Sequence, residues 1–200
     1  MSTLLNDKVL VINKLWQAID ETTVWEALCD MCSGKATGMD MGEHRPVRWD
    51  EWLALPIRDG DRIIGSTHGP VRVPTVVGKF SYDEMPKRRP KLDNEGIAYR
   101  DGKICQVTGE YAPDGNVDHL DPKGRGGAAK SWLNQVWMKR DLNSKKGCRT
   151  LAEMGWKLIR APFEPKPVDA SLLIRPKHPD WEYFLPKITR ASVYAPVAQR

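Results

Sequence analysis

The apolar residues of this chain fall in short runs rather than long stripes. Lys8–Asn13 reads KVLVIN, four apolar residues in succession, which predicts a strand. Thr22 or Thr23 is placed to cap a helix over Thr22–Ser33 that carries Val24, Trp25, Ala27 and Leu28 and stops at Gly34. Short alternating segments follow through Trp49, Trp52 and Leu55. Asp61–Ser66 and Val71–Val77 read as strands joined by the turn THGP. Residues 1–80 thus form a small α+β region, and residues 81–92, which include SYDEMPKRRP, read as a basic linker.

Asp93–Arg100 predicts a short helix, with a turn at Asp101-Gly102. Asn116–Leu120 has a strand-like core, so Asp118 and His119 point to opposite sides of it. Pro122 ends that strand, and Lys123–Lys130 is a glycine-rich loop. Leu133–Met138 is a second strand, and Asp141–Gly147 one or two helical turns with Asp141 as cap and Gly147 as stop. Such a strand–loop–strand–helix unit folds back to bring Asn143 towards Asp118. Thr150 and Glu153 make a capping box for a further helix to about Arg160. Residues 166–200 read as an extended, proline-rich tail that wraps a surface or meets a partner and builds no core of its own.

The chemistry concentrates in the central unit. The Asp118-His119 pair is followed by Asn134 and then by Asn143 in the run DLNSKKG. Histidine takes a proton from water near neutral pH. A carboxylate and an amide carbonyl are hard oxygen donors of the kind Mg²⁺ accepts, and Mn²⁺ accepts them equally. Arg125, Lys145, Lys146 and Arg149 are available to hold phosphate oxygens, and Lys87, Arg88 and Arg89 form a second basic cluster. Activated water, a divalent cation and positive charge are what hydrolysis of a phosphodiester requires.

The runs VDHL-P-GRGG, WLNQVW and NSKKGCRT resemble the HNH endonucleases, whose core is the ββα-metal fold. The N-terminal run KVLVINKLWQAIDETTVWEAL is similar to that of many bacterial and phage members. The resemblance implies an HNH nuclease domain over residues 93–165. It makes His119 the general base, Asp118 and Asn143 the metal ligands, and Asn134 the residue that braces the loop to orient His119. It also implies DNA as partner and a nick leaving a 5′ phosphate. Many relatives carry two Cys-x-x-Cys pairs for a structural zinc. Here those positions read Cys105-Gln-Val-Thr108 and Lys139-Arg-Asp-Leu142, so no Cys₄ zinc site forms. Trp132, Trp137, Val117 and Leu142 are expected to hold the core by packing instead.

Composition narrows the alternatives. The net charge of +5 suits nucleic-acid binding without establishing it. No apolar run reaches the ~20 residues of a membrane span, and MSTLLNDKVLVINK lacks the pattern of a signal peptide, so a cytosolic location is expected. Four cysteines in such a chain argue against a disulfide framework. Cys29 and Cys32 sit on one face of the first helix, where packing is the plain reading and metal or redox chemistry the sharper one. Most of the eight tryptophans read as core anchors, although Trp181, Tyr183 and Phe184 also suit stacking on bases. His44, His68 and His178 read as surface or turn residues. The second functional class to weigh against the nuclease is a non-catalytic DNA-binding or assembly protein on a decayed core.

Overall fold

The computed structural model describes residues 3–67 and 69–187; residues 1–2, His68 and residues 188–200 lie outside it. The fold is α+β. The described residues divide into two compact units, one made of the chain up to Arg88 together with Val168–Lys187, the other of Arg89–Pro167.

The first unit is built on a five-stranded sheet. Its strands are β1 (Lys8–Asn13), β2 (Ala18–Thr23), β3 (Thr37–Asp40), β4 (Arg45–Val47) and, after two others, β7 (Val76–Lys79), in the order β2-β1-β7-β3-β4. β1 and β7 run parallel, and the other neighbours are antiparallel. β1 is an unbroken apolar run because both of its faces are covered. Val9 and Val11 join Val24, Ala27 and Met31 of helix α1 (Val24–Cys32) and Trp52 of α2 (Trp49–Ala54). Leu10 and Ile12 meet Val76, Met39, Ile174, Trp181 and Phe184 on the other side. Helix α1 starts in a reciprocal cap, in which Glu26 N–H donates to Thr23 Oγ1 at 3.2 Å and Thr23 N–H to Glu26 Oε2 at 3.0 Å.

Several sequence expectations change in this unit. Pro74 has no N–H for a ladder, so the strand expected over Val71–Val77 is split. Gly69–Arg72 (β6) pairs with Ile63–Ser66 (β5), and Val76–Lys79 enters the main sheet. The linker expected over residues 81–92 contains β8 (Lys87–Arg88), which pairs with Val168–Asp169. The tail expected to lie on a surface instead supplies core: Trp181 is fully buried and donates its indole N–H to Thr75 O at 2.9 Å. That burial takes Trp181 out of the base-stacking set. Cys29 and Cys32 are exposed, so neither thiol packs into the core.

The second unit centres on an antiparallel pair, β9 (Asn116–His119) and β10 (Gln135–Met138). Helix α3 (Asn94–Arg100) is capped by Asp93, whose Oδ1 accepts from Gly96 N–H at 2.8 Å. Ile97, Ala98 and Trp137 form one small core with Val117 and Trp132 against it, and Cys105, Val136 and Met138 form a second with Leu120, Leu142 and Trp156. A buried ion pair ties the unit together. Arg100 meets Asp101 at 2.8 Å and donates to the carbonyls of Trp132 and Gln135, while Asp101 Oδ2 accepts from Trp137 N–H. Helix α4 (Arg140–Lys146) follows β10 directly. Its cap position is Lys139 rather than Asp141, which sits in the first turn, and Gly147 at φ 53° ends it. The capping-box bonds of Thr150 and Glu153 are present, but the expected helix to Arg160 is not. Gly155 at φ 67° reverses the chain after one turn, which lets Trp156 and Leu158 reach the second core. Among the described residues no helix is long and apolar enough to cross a membrane.

Candidate active site

The register of the β9–β10 pair sets the site. Asp118 lies opposite Val136 and His119 opposite Gln135, so the two side chains leave on opposite faces of the ribbon. Asp118 faces helix α4, and His119 faces the loop that joins the strands.

That loop is held by Asn134, a buried side chain with 7% of its surface exposed. Its Oδ1 accepts from Asp121 N–H at 2.7 Å, and its Nδ2 donates to Asp121 O at 3.0 Å and Ala128 O at 2.9 Å. One amide thus clamps both ends of residues 121–128. Gly127 makes the loop possible, because a Cβ there would stand 1.9 Å from Asp121 O. The next carbonyl, Ala129 O, lies 3.0 Å from His119 Nε2. A carbonyl only accepts, so the ring proton belongs on Nε2, and Nδ1 is left with its lone pair. Gln135 Nε2 lies 3.0 Å from His119 Nε2 and 3.4 Å from Ala129 O. A protonated Nε2 does not accept, so the Gln135 amide serves Ala129 O. Gln135 was not singled out in the sequence, although its place next to Asn134 was the available signal.

Helix α4 brings Asn143 and Lys146 to β9. They are three residues apart and therefore share a face of the helix. Asn143 Nδ2 donates to Asn116 Oδ1 at 2.9 Å and to Val117 O at 3.2 Å. With both amide hydrogens engaged on the strand, its Oδ1 is the atom left for a ligand.

Lys146 requires a correction. It is expected among the phosphate contacts, but its side chain is 0% exposed. Its ammonium lies 3.0 Å from Asp118 Oδ2 and 3.2 Å from Oδ1, and it donates to His119 O at 2.7 Å. Successive helix positions differ by about 100° around the axis, so Lys145 faces outward while Lys146 faces β9. Burial pushes the Asp118 carboxyl above the ordinary range, and the Lys146 ammonium offsets part of that rise. Oδ2 is buried and, although Nζ lies 3.0 Å from it as an ion pair, it accepts no hydrogen bond. A buried oxygen in that state suits a hard cation. Asp118 Oδ2 and Asn143 Oδ1 fit the donor chemistry of Mg²⁺ or Mn²⁺, which need only one or two protein ligands. Among the described residues no group of three or more His, Cys, Asp or Glu side chains is placed to hold a metal.

The other expected phosphate contacts are scattered. Arg125 is exposed and held by both oxygens of Glu153, at 2.8 and 2.9 Å. Arg149 is exposed and donates to the carbonyls of Lys145 and Lys146, closing the end of α4. Lys145 is exposed. Arg89 pairs with Glu164 in the second unit. Lys87 and Arg88 belong to the first unit, where Arg88 meets Asp20 at 2.8 Å.

Cys105 is fully buried. Burial raises its thiol, but the N–H groups of Lys139, Thr108 and Val107 and the Thr108 hydroxyl outweigh it, and the net shift is downward. The segment holding Cys105 thus meets the start of α4 through the Lys139 N–H. No family model, curated protein or solved structure matches this chain.

Proposed function

We propose that the second unit is a metal-dependent DNA endonuclease of the HNH type, which nicks one strand by hydrolysing a phosphodiester bond. The observation that carries this reading is the Asn134 clamp. It holds residues 121–128 so that Ala129 O takes the Nε2 proton of His119, leaving Nδ1 as the base. A side chain buried to arrange a neighbouring histidine tautomer favours general-base chemistry over plain packing.

In this reading His119 Nδ1 takes a proton from the attacking water. Asp118 and Asn143 would hold the metal, which when bound would supply positive charge at the reacting phosphate and leaving oxygen. Exposed Lys145, Arg149 and Arg125 contact flanking phosphates, with Arg125 released from Glu153 to do so. A supercoiled plasmid with Mg²⁺ or Mn²⁺ against EDTA tests the proposal. Open-circle product that requires metal and disappears in His119→Ala supports it. No product in either metal overturns it.

One observation favours a second reading. The carboxylate of Asp118 already has a cation, Lys146, beside it, as a decayed nuclease that only binds DNA would tolerate. A retained gel shift with no cleavage in any metal selects that reading.

A further inference from the structure

We infer that Lys146 is a built-in counter-ion that shares the Asp118 carboxylate with the metal and thereby sets how tightly the metal is held. This rests on the reading of Asp118 as a metal ligand. Lys146 of α4 lies 3.0 Å from the candidate ligand Asp118 and is fully buried, so its charge is little screened by solvent. Its ammonium is anchored by the 2.7 Å bond to His119 O, which holds it on the strand independently of the carboxylate. It lies 3.0 Å from Asp118 Oδ2 and 3.2 Å from Oδ1, so any metal held by this carboxylate shares it with a buried positive charge.

Two consequences follow from this geometry. Without metal, the ammonium compensates a carboxylate that burial would otherwise leave unpaired, so the site is arranged in advance. With metal, the same charge repels the incoming cation, and the site binds weakly. A divalent ion would then be held firmly only once a phosphate adds negative charge. Lys146 is therefore a positioning residue, acting on the reaction through Asp118 rather than on the substrate.

Mn²⁺ binding to the full-length protein, measured by titration calorimetry near pH 7.5 without DNA, tests this. Lys146→Met is expected to bind Mn²⁺ about tenfold tighter than the wild type or better, because a nearby like charge is removed. Lys146→Arg, which keeps the charge, is expected to stay weak. Asp118→Asn separates the two claims. If it leaves Mn²⁺ binding unchanged, Asp118 is no ligand and the nuclease reading loses its metal site. If it abolishes binding while Lys146→Met binds no tighter, the inference about Lys146 alone is overturned. Should Lys146→Met fail to fold, the ¹⁵N signal of the buried Lys146 ammonium in the wild type decides. A shift on Mg²⁺ saturation that Asp118→Asn eliminates supports the inference, and a signal that ignores Mg²⁺ overturns it.

Discussion

Replacing Asn134 should damage stability and catalysis together, by an amount the loop geometry sets. Asn134→Ala removes three hydrogen bonds, to Asp121 N–H, Asp121 O and Ala128 O. A net hydrogen bond contributes about 0.5–1.5 kcal/mol, so the expected loss is about 2–4 kcal/mol, read by urea denaturation. Asn134→Asp keeps the size but replaces the NH₂ group with a carboxylate oxygen. That oxygen would face two carbonyls, at 2.9 and 3.0 Å, with no proton between them. It should therefore cost at least as much as the alanine. The loop then frees Ala129 O, and the tautomer of His119 is no longer held. On the nuclease proposal, plasmid nicking should fall by about 10²-fold or more, while Mn²⁺ affinity, which the proposal assigns to Asp118 on the other face of the ribbon, should hold. Normal nicking in both variants would refute the assignment of the clamp to His119. An aspartate variant as stable as the wild type would refute the hydrogen-bond assignment itself.

Gly127→Ala should destabilise the same loop by about 1–3 kcal/mol, since the added carbon must push Asp121 O aside; a melting curve beside a nicking assay reads both effects. Arg100→Met leaves buried Asp101 with only the more distant, half-exposed Arg160, at 3.7 Å, as its counter-charge and should cost about 3 kcal/mol in chemical denaturation. Trp181→Ala should cost a similar amount, about 3–5 kcal/mol, because it empties a fully buried site in the first unit; a melting temperature unchanged by it would place the tail outside the core. Glu153 is exposed, and its carboxyl is pulled down to about 2 by Thr150 N–H and by Arg125. Its folded value is below its ordinary one of 4.5, so its contribution is complete above 4.5 and is lost as pH falls towards 2. Glu153→Gln should abolish the acid-induced shift of the Arg125 side-chain NMR signal over that range.

Local elements were legible where local rules suffice. The cap at Thr23 and the stop at Gly147 each rest on residues within a few positions of the backbone groups they serve. The candidate residues Asp118, His119, Asn134 and Asn143 were readable as a spacing of residue types. The capping box at Thr150 and Glu153 was also read correctly as hydrogen bonds, yet it does not start a helix. Nucleating a helix is costly, and here a turn that sends Trp156 and Leu158 into a core wins. The same competition hides the partner of β8. Its two residues pair with Val168–Asp169, far along the chain, and no local pattern marks that pairing.

The sequence by itself determined the β1 strand, the Thr23 cap and the Gly147 stop, because each is read from neighbours in the chain, and it supplied the residue types from which the nuclease proposal starts. Only the tertiary structure decided which side chains of those elements meet. It set Trp181 of the tail against β1, although the tail reads as a surface segment. It also separated two adjacent lysines. Lys145 faces outward, and Lys146, one position on, faces β9 and takes the carboxylate of Asp118. The physical reason is the helix rotation of about 100° per residue. It turns one residue's step into a choice between solvent and strand, and that choice follows from where β9 lies relative to α4.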